Sequence, residues 1–311
     1  MNSICTQPES SKDNISFIKE IQMMMFGLGD SPTPLLTTAS VIEEIVLRQL
    51  VCIITQAVEV ADSRGVEGIY PQDILFILRK DVHKLQRMIS YIGFKEMKKN
   101  LTSSLGEDDM TRLEDLVPLT PDPSKSKRKE ICLQFLLSIG INLEEVTTVD
   151  SVKMERLRMA DYRTQMMSQK SFEDYNVSRR ATFLGAKLNN GRFLDWLRLL
   201  APDCPVHKLK SFSVEMLLYL AKETVAQLVD LALLLRRDAS VSPLDPYSRA
   251  HRTTLSFETF GTSQRQLEGS PPITPGEVRE VLRRYYSTQL HPWGTFTCNL
   301  DTAVFNKILA C

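Results

Sequence analysis

The signatures that announce an enzyme are missing from this chain of 311 residues. There is no Gly-x-x-x-x-Gly-Lys-Ser/Thr loop to cradle phosphates, no Gly-x-Gly-x-x-Gly turn for a dinucleotide and no Gly-x-Ser-x-Gly nucleophile elbow. His-Glu-x-x-His and Cys-x-x-Cys are absent too. The four histidines (His83, His207, His251, His291) are far apart, and Cys204 with His207 offers two ligands where a metal site needs three or four. No catalytic, cofactor-binding or metal-ligating residue is nominated. The expectation is a binding or scaffolding protein that is not an enzyme and needs no cofactor.

A charge of one sign is also lacking. Lys plus Arg and Asp plus Glu both number 38, and no third of the chain carries a strong net charge. Wrapping DNA by phosphate neutralisation needs a dense basic surface, so direct DNA binding is expected to be weak or absent. The longest apolar uncharged run, Gln49 to Val58, is ten residues, where a membrane span needs about 20. The start, MNSICTQPESSKDN, has no apolar core for a secretory signal. The six cysteines are scattered, which suggests free thiols in a reducing compartment.

What the chain does contain is a repeat. Ile69-Tyr70-Pro71-Gln72-Asp73-Ile74 runs on to Leu78-Arg79-Lys80, and Ile273-Thr274-Pro275-Gly276-Glu277-Val278 runs on to Leu282-Arg283-Arg284. Each copy reads as an extended segment that turns into a helix. The residue before Pro is held out of the α region, Pro suits a first helical turn, and the following acid faces the helix N-terminus. Upstream of each lies a long apolar helix ending at Val58-Glu59-Val60-Ala61 or passing through Val229-Asp230-Leu231-Ala232. The repeat unit is therefore long helix, loop, Pro-started short helix. From Ala61 to Ile69 is roughly 8 residues and from Ala232 to Ile273 roughly 41, so the second copy carries an insertion in its loop.

The chain divides accordingly. Residues 1–13 are expected to be disordered, 14–100 form a first unit, and 101–177 a partly helical linker. Residues 178–286 form a second unit with an inserted loop at 240–272, and 287–311 form a tail. In the first unit a helix capped by Asn14 or Ser16 carries Phe17, Ile18, Ile21 and Met25, and stops at Gly27-Leu28-Gly29-Asp30. Met23-Met24-Met25 is either gap-filling core or a soft binding surface. A long helix spans about Ala39 to Ser63 and is apolar all round between Leu50 and Ile54, so something long must cross its middle. In the linker, a highly charged helix from Val152 to Gln169, apolar at Met154, Leu157 and Tyr162, should lie on the surface. Phe193-Leu194-Asp195-Trp196-Leu197 should anchor the second unit, whose long helix spans about Phe212 to Arg237.

Helix, loop, long helix, loop, short helix resembles the histone fold, and Ile69-Tyr70-Pro71-Gln72-Asp73-Ile74 resembles the second loop and third helix of core histones. The first unit is similar to a TFIID histone-fold subunit through Met24-Met25-Phe26-Gly27-Leu28-Gly29-Asp30, Val41-Ile42-Glu43-Glu44-Ile45-Val46 and Asp73-Ile74-Leu75-Phe76-Ile77-Leu78-Arg79-Lys80-Asp81. The second, through Tyr219-Leu220-Ala221-Lys222-Glu223-Thr224-Val225-Ala226-Gln227-Leu228-Val229-Asp230-Leu231-Ala232, resembles the Spt-three-type subunits of the SAGA coactivator.

The resemblance implies an all-α fold in which two histone-fold units of one chain form an intramolecular pair joined by the linker. It further implies a nuclear coactivator subunit that associates with other histone-fold and scaffold subunits of SAGA and helps bring TATA-binding protein to RNA polymerase II promoters. A TFIID-type subunit and, behind it, a nucleosome-like DNA-binding protein are the alternatives.

Two sites can be nominated. Glu223, Gln227 and Asp230 stand at spacings of four and three on one stripe of the second long helix, with Lys222 off the stripe. Three readings are open: a solvated edge, an acidic strip for the basic TATA-binding protein, or internal pairing of Glu223 with an arginine such as Arg79 or Arg283. The basic cluster Lys125, Lys127, Arg128 and Lys129 reads either as a nuclear import signal or as a charged helix start.

Overall fold

The computed structural model describes residues 15–104, 127–143, 145, 148–165, 167–184, 190–239, 271–287 and 308–309. The expected disordered start at 1–13, the inserted loop up to residue 270 and most of the tail lie outside them. In chain order the helices are α1 (Ile18–Leu28), α2 (Leu36–Ser63), α3 (Pro71–Ile77), α4 (Val82–Ser104), α5 (Lys127–Ser138), α6 (Ser151–Gln165), α7 (Gln169–Arg180), α8 (Asn190–Leu200), α9 (Ser211–Ala239) and α10 (Pro275–Ser287). Among the described residues there is no named strand, only an isolated parallel bridge between Ile69 and Leu209. The described fold is all-α.

The organising helices are α2 and α9. They pack on each other; α2 also meets α1, α3 and α10, and α9 meets α1, α3 and α10. This answers what covers the apolar middle of α2, where Leu50, Ile53 and Ile54 are buried together with Leu228 of α9. Burying such side chains contributes roughly 1.5–3 kcal/mol each, and neither helix could keep so apolar a surface alone. An aromatic group within the same core holds the start of α1 to α8. The rings of Phe17, Phe183, Phe193 and Trp196 are buried, with centroid distances of 5.3 Å for Phe17–Phe183, 5.4 Å for Phe17–Trp196 and 5.9 Å for Phe193–Trp196. Phe193 and Trp196 thus anchor this region as their sequence context suggested. At Gly27, α1 crosses α7 backbone to backbone: a Cβ there would lie 2.8 Å from the main chain of Ser178 and Arg179. Gly29, at φ 126°, ends the helix.

Two clasps tie the loops to the long helices. At the first, the Ile69 N–H donates to the Lys208 carbonyl at 2.9 Å, and its carbonyl accepts from the Lys210 N–H at 3.3 Å and from Ser213 Oγ at 2.9 Å. At the second, the Ile273 N–H donates to Asp30 Oδ1 at 2.9 Å, and its carbonyl accepts from Thr38 Oγ1 at 2.6 Å. Ser213 and Thr38 each stand third in their long helix, and both are fully buried.

The acid two residues after each Pro does more than face a helix N-terminus. Asp73 Oδ2 accepts from the Tyr70 N–H and from Arg64, both at 2.8 Å. Glu277 Oε2 accepts from the Thr274 N–H at 2.7 Å, and Arg236 grips its two oxygens at 2.5 and 2.8 Å. Each acid therefore joins a Pro-started helix to an arginine at the end of the preceding long helix.

One linker helix, α6, lies on the surface as its charge suggests but ends at Gln165, short of the expected Gln169. Its apolar Met154 and Leu157 face outward, 55% and 43% exposed. The inward residues are Arg156, Ala160 and Arg163, at spacings of four and three, and Arg163 donates to the Gly29 carbonyl at 2.7 Å. Polar partners on the body, not apolar ones, select the face.

Candidate functional site

The α9 stripe is where sequence placed a protein-binding surface, and its side chains do converge. Glu223 is buried. Its carboxylate meets Arg156 at 3.1 Å through both oxygens and Arg87 at 3.2 Å. Asp230 meets Arg156 Nε at 2.7 Å, so one guanidinium bridges both acids of the stripe. Arg87, from α4, also pairs with Asp150 at 2.6 Å. Asp150 Oδ1 accepts the Lys153 N–H at 3.1 Å and so caps the start of α6. Gln227 is half-buried on the same face. Lys222 lies off the stripe as expected, its Nζ donating to the Arg179 carbonyl at 2.9 Å.

Neither a solvated edge nor an open strip describes Glu223; the reading with internal pairing matches, through different arginines. Arg79 instead donates to the Phe76 carbonyl and lies over the Phe76 ring, and Arg283 pairs with Glu280. Sequence reasoning missed Arg87, Arg156 and Asp150. No sequence pattern singled them out: Arg156 alone bridges Glu223 and Asp230, while Arg163 turns to the Gly29 carbonyl.

The electrostatics follow from this packing. Burial pulls the Arg87 and Arg156 guanidiniums down, but the Glu223 carboxylate, helped by Asp150 and Asp230 respectively, more than offsets it and holds both firmly charged. Burial pushes the Asp230 carboxyl up, against the pull of Arg156. Lys222 is brought down to about 8 by burial and by Arg179. Such a network is costly to break, because removing one partner leaves a buried charge uncompensated.

The basic cluster is partly visible. Lys125 lies outside the described residues. Lys127, Arg128 and Lys129 form the first turn of α5, where Glu96 receives the backbone N–H groups of Arg128 at 3.1 Å and Lys129 at 3.4 Å. The Arg128 guanidinium approaches Glu215 at 3.4 Å and stands 5.1 Å from the centre of the Phe212 ring. A charged helix start is thus part of its role.

No group of His, Cys, Asp or Glu among the described residues gathers to hold a metal, and no described helix is long and apolar enough to cross a membrane. Cys132 and Cys204 are free thiols. Burial pushes Cys132 up to about 12 and Cys204 up to about 11, far from a reactive thiolate.

Comparison with known proteins agrees with this architecture. Residues 15–109 match the family model described as transcription initiation factor IID, 18kD subunit. The Arabidopsis thaliana transcription initiation factor TFIID subunit 13 is 30% identical over 104 residues, covering 33% of this chain and 80% of that protein. The chain belongs to this TFIID 18-kDa-subunit family. Its similarity continues past the first unit: the SAGA complex subunit SPT3 of Saccharomyces cerevisiae is 26% identical over 87% of this chain and 91% of its own length. The Spt3 subunit of Schizosaccharomyces pombe is 29% identical over 85% and 88%.

Proposed function

We propose that this chain is a non-enzymatic transcription coactivator subunit that works in the nucleus within a SAGA-type complex. The observation that carries the reading is similarity to SPT3-type SAGA subunits along most of both chains, beyond the single unit shared with the TFIID subunit. Its two units would form an intramolecular histone-fold pair. The α2–α9 packing and the two clasps at Ile69 and Ile273 support that pairing, since each loop grips the opposite long helix with the same three-residue offset. Other histone-fold and scaffold subunits of the complex would then be its neighbours.

Within that role the chain would help position TATA-binding protein at promoters, with the α9 stripe of Glu223, Gln227 and Asp230 as its acidic contact. A basic partner would be steered there by opposite charge. Because Arg87 and Arg156 already neutralise much of the stripe, the partner must either meet the half-exposed Gln227 and Asp230 edge or displace Arg156. The basic run from Lys125 to Lys129 would serve nuclear import.

Affinity purification of the tagged full chain from nuclear extract tests the reading: SAGA subunits should accompany it. Recovery with TFIID alone would favour the reading that the first unit's match supports. A pull-down with purified TATA-binding protein, run beside a melting curve, tests the stripe. Gln227→Lys should weaken capture without moving the melt; unchanged capture would remove the stripe from the proposal.

A further inference from the structure

Near the C-terminus, Ile308 and Leu309 are buried in a slot between α2, α4 and α10. Their backbone is read by three side chains. Gln49 Oε1 accepts the Leu309 N–H at 2.7 Å, and Lys84 Nζ donates to the Leu309 carbonyl at 3.1 Å. Tyr285 Oη donates to the Ile308 carbonyl at 3.3 Å. Gln49 is fully buried and Lys84 only 8% exposed. Polar groups so deep in an apolar core cost stability unless they are satisfied, and here the tail backbone satisfies them. The Gln49 amide nitrogen is held by Tyr286 Oη at 3.0 Å, which aims its oxygen at the tail, and Lys84 is steadied by Asp81 at 3.5 Å. The slot is therefore preorganised to recognise main chain, with room for two neighbouring aliphatic side chains.

We propose that this slot is a peptide-binding site that the chain fills with its own Ile308–Leu309 segment, as an exchangeable latch across α2, α4 and α10. The ligand class is an extended segment with two adjacent aliphatic residues, its N–H taken by Gln49 and its carbonyl by Lys84. Its covalent connection to the rest of the chain gives this segment a high effective concentration at the slot. A segment of the same chemistry presented at similar concentration can replace it.

The test uses the full chain and a fluorescent peptide spanning residues 305–311 with Cys311→Ser. The Leu309→Asp chain, whose own latch is weakened, should bind the peptide saturably by anisotropy, at least tenfold tighter than the parent chain does. Adding Gln49→Leu should abolish that binding. Equal uptake by parent and Leu309→Asp chains, or none by either, would overturn the proposal. If the substituted chain fails to fold, the parent answers by amide hydrogen exchange. The Leu309 N–H should exchange at least a hundredfold slower than an unstructured amide, and faster when excess peptide is added. A rate that excess peptide does not change would overturn exchangeability, and an unprotected amide would overturn the slot itself.

Discussion

The two clasps do the same work by different means. At Ile69 the facing loop supplies main chain on both sides, a short parallel bridge with Lys208 and Lys210, and Ser213 adds a further donor. At Ile273 the facing loop supplies the Asp30 carboxylate instead of main chain, and Thr38 of α2 adds its hydroxyl as Ser213 does at the other clasp. A backbone bridge asks little of residue identity, because every non-proline residue carries the same donor and acceptor. A side-chain clasp depends on single residues and buries an acid, so chemistry and pH can reach one end of the molecule and not the other. Burial pushes the Asp30 carboxyl up despite its bonds to Ile273 and Ser31.

The largest effects should come from the groups that join the two halves. Glu223→Lys would put a third cation between Arg87 and Arg156, and breaking this buried network should cost about 3–5 kcal/mol, read as a lower urea midpoint. A stability equal to the parent's would mean that α6 and α4 are not held to α9 by these pairs. Next come the centres of the long helices. Ile53→Ala and Leu228→Ala, each 1% exposed in the parent, should each lose about 2–5 kcal/mol. Loss at one site alone would show that the helices do not share a core.

The clasps themselves should differ. Asp30→Ala leaves the buried Ile273 N–H without its acceptor and should cost about 1–3 kcal/mol. Ser213→Ala should cost only about 0.5–1.5 kcal/mol, since the Ile69 carbonyl keeps the Lys210 N–H. Equal losses would erase the distinction between them.

The smallest effect is in pH, and it has two signs. The Asp30 carboxyl is raised, so its protonation favours the folded chain. That contribution is complete below its ordinary value near 3.8 and is lost as pH rises through the folded value. Glu277 is opposed by burial, but Arg236 and Thr274 bring it down to about 2. Its contribution is present above about 4.5 and is lost as pH falls toward 2. The stability advantage of the parent over Asp30→Asn should therefore grow between pH 6 and pH 3, while its advantage over Glu277→Gln shrinks. Denaturant midpoints across that range, moving in the same direction for both variants, would contradict these environments.

What could be read from the sequence had strong period or strong punctuation. The apolar girth of α2 required a crossing partner, the Pro at 71 and 275 started helices where expected, and Phe193 with Trp196 formed an anchor. The stripe on α9 was visible because few polar residues interrupt that helix. Its partners were not visible. Arg87 and Arg156 look like ordinary surface charges until another helix is placed over them. Periodicity finds faces that water rejects. It does not find faces that are chosen by ion pairs, nor clasps in which Thr38 or Asp30 meets a residue over two hundred positions away.

That separation has a consequence during synthesis. The apolar surface of α2 leaves the ribosome well before α9, which begins at Ser211 and is needed to cover it. At about 5–20 residues per second, the roughly 150 intervening residues take on the order of 10–30 s. For that interval the nascent chain offers an uncovered hydrophobic helix and should be a client of ribosome-associated chaperones. Ribosome pull-downs should show chaperone occupancy rising once α2 is exposed and falling after α9 emerges; an even profile along the message would contradict this delay.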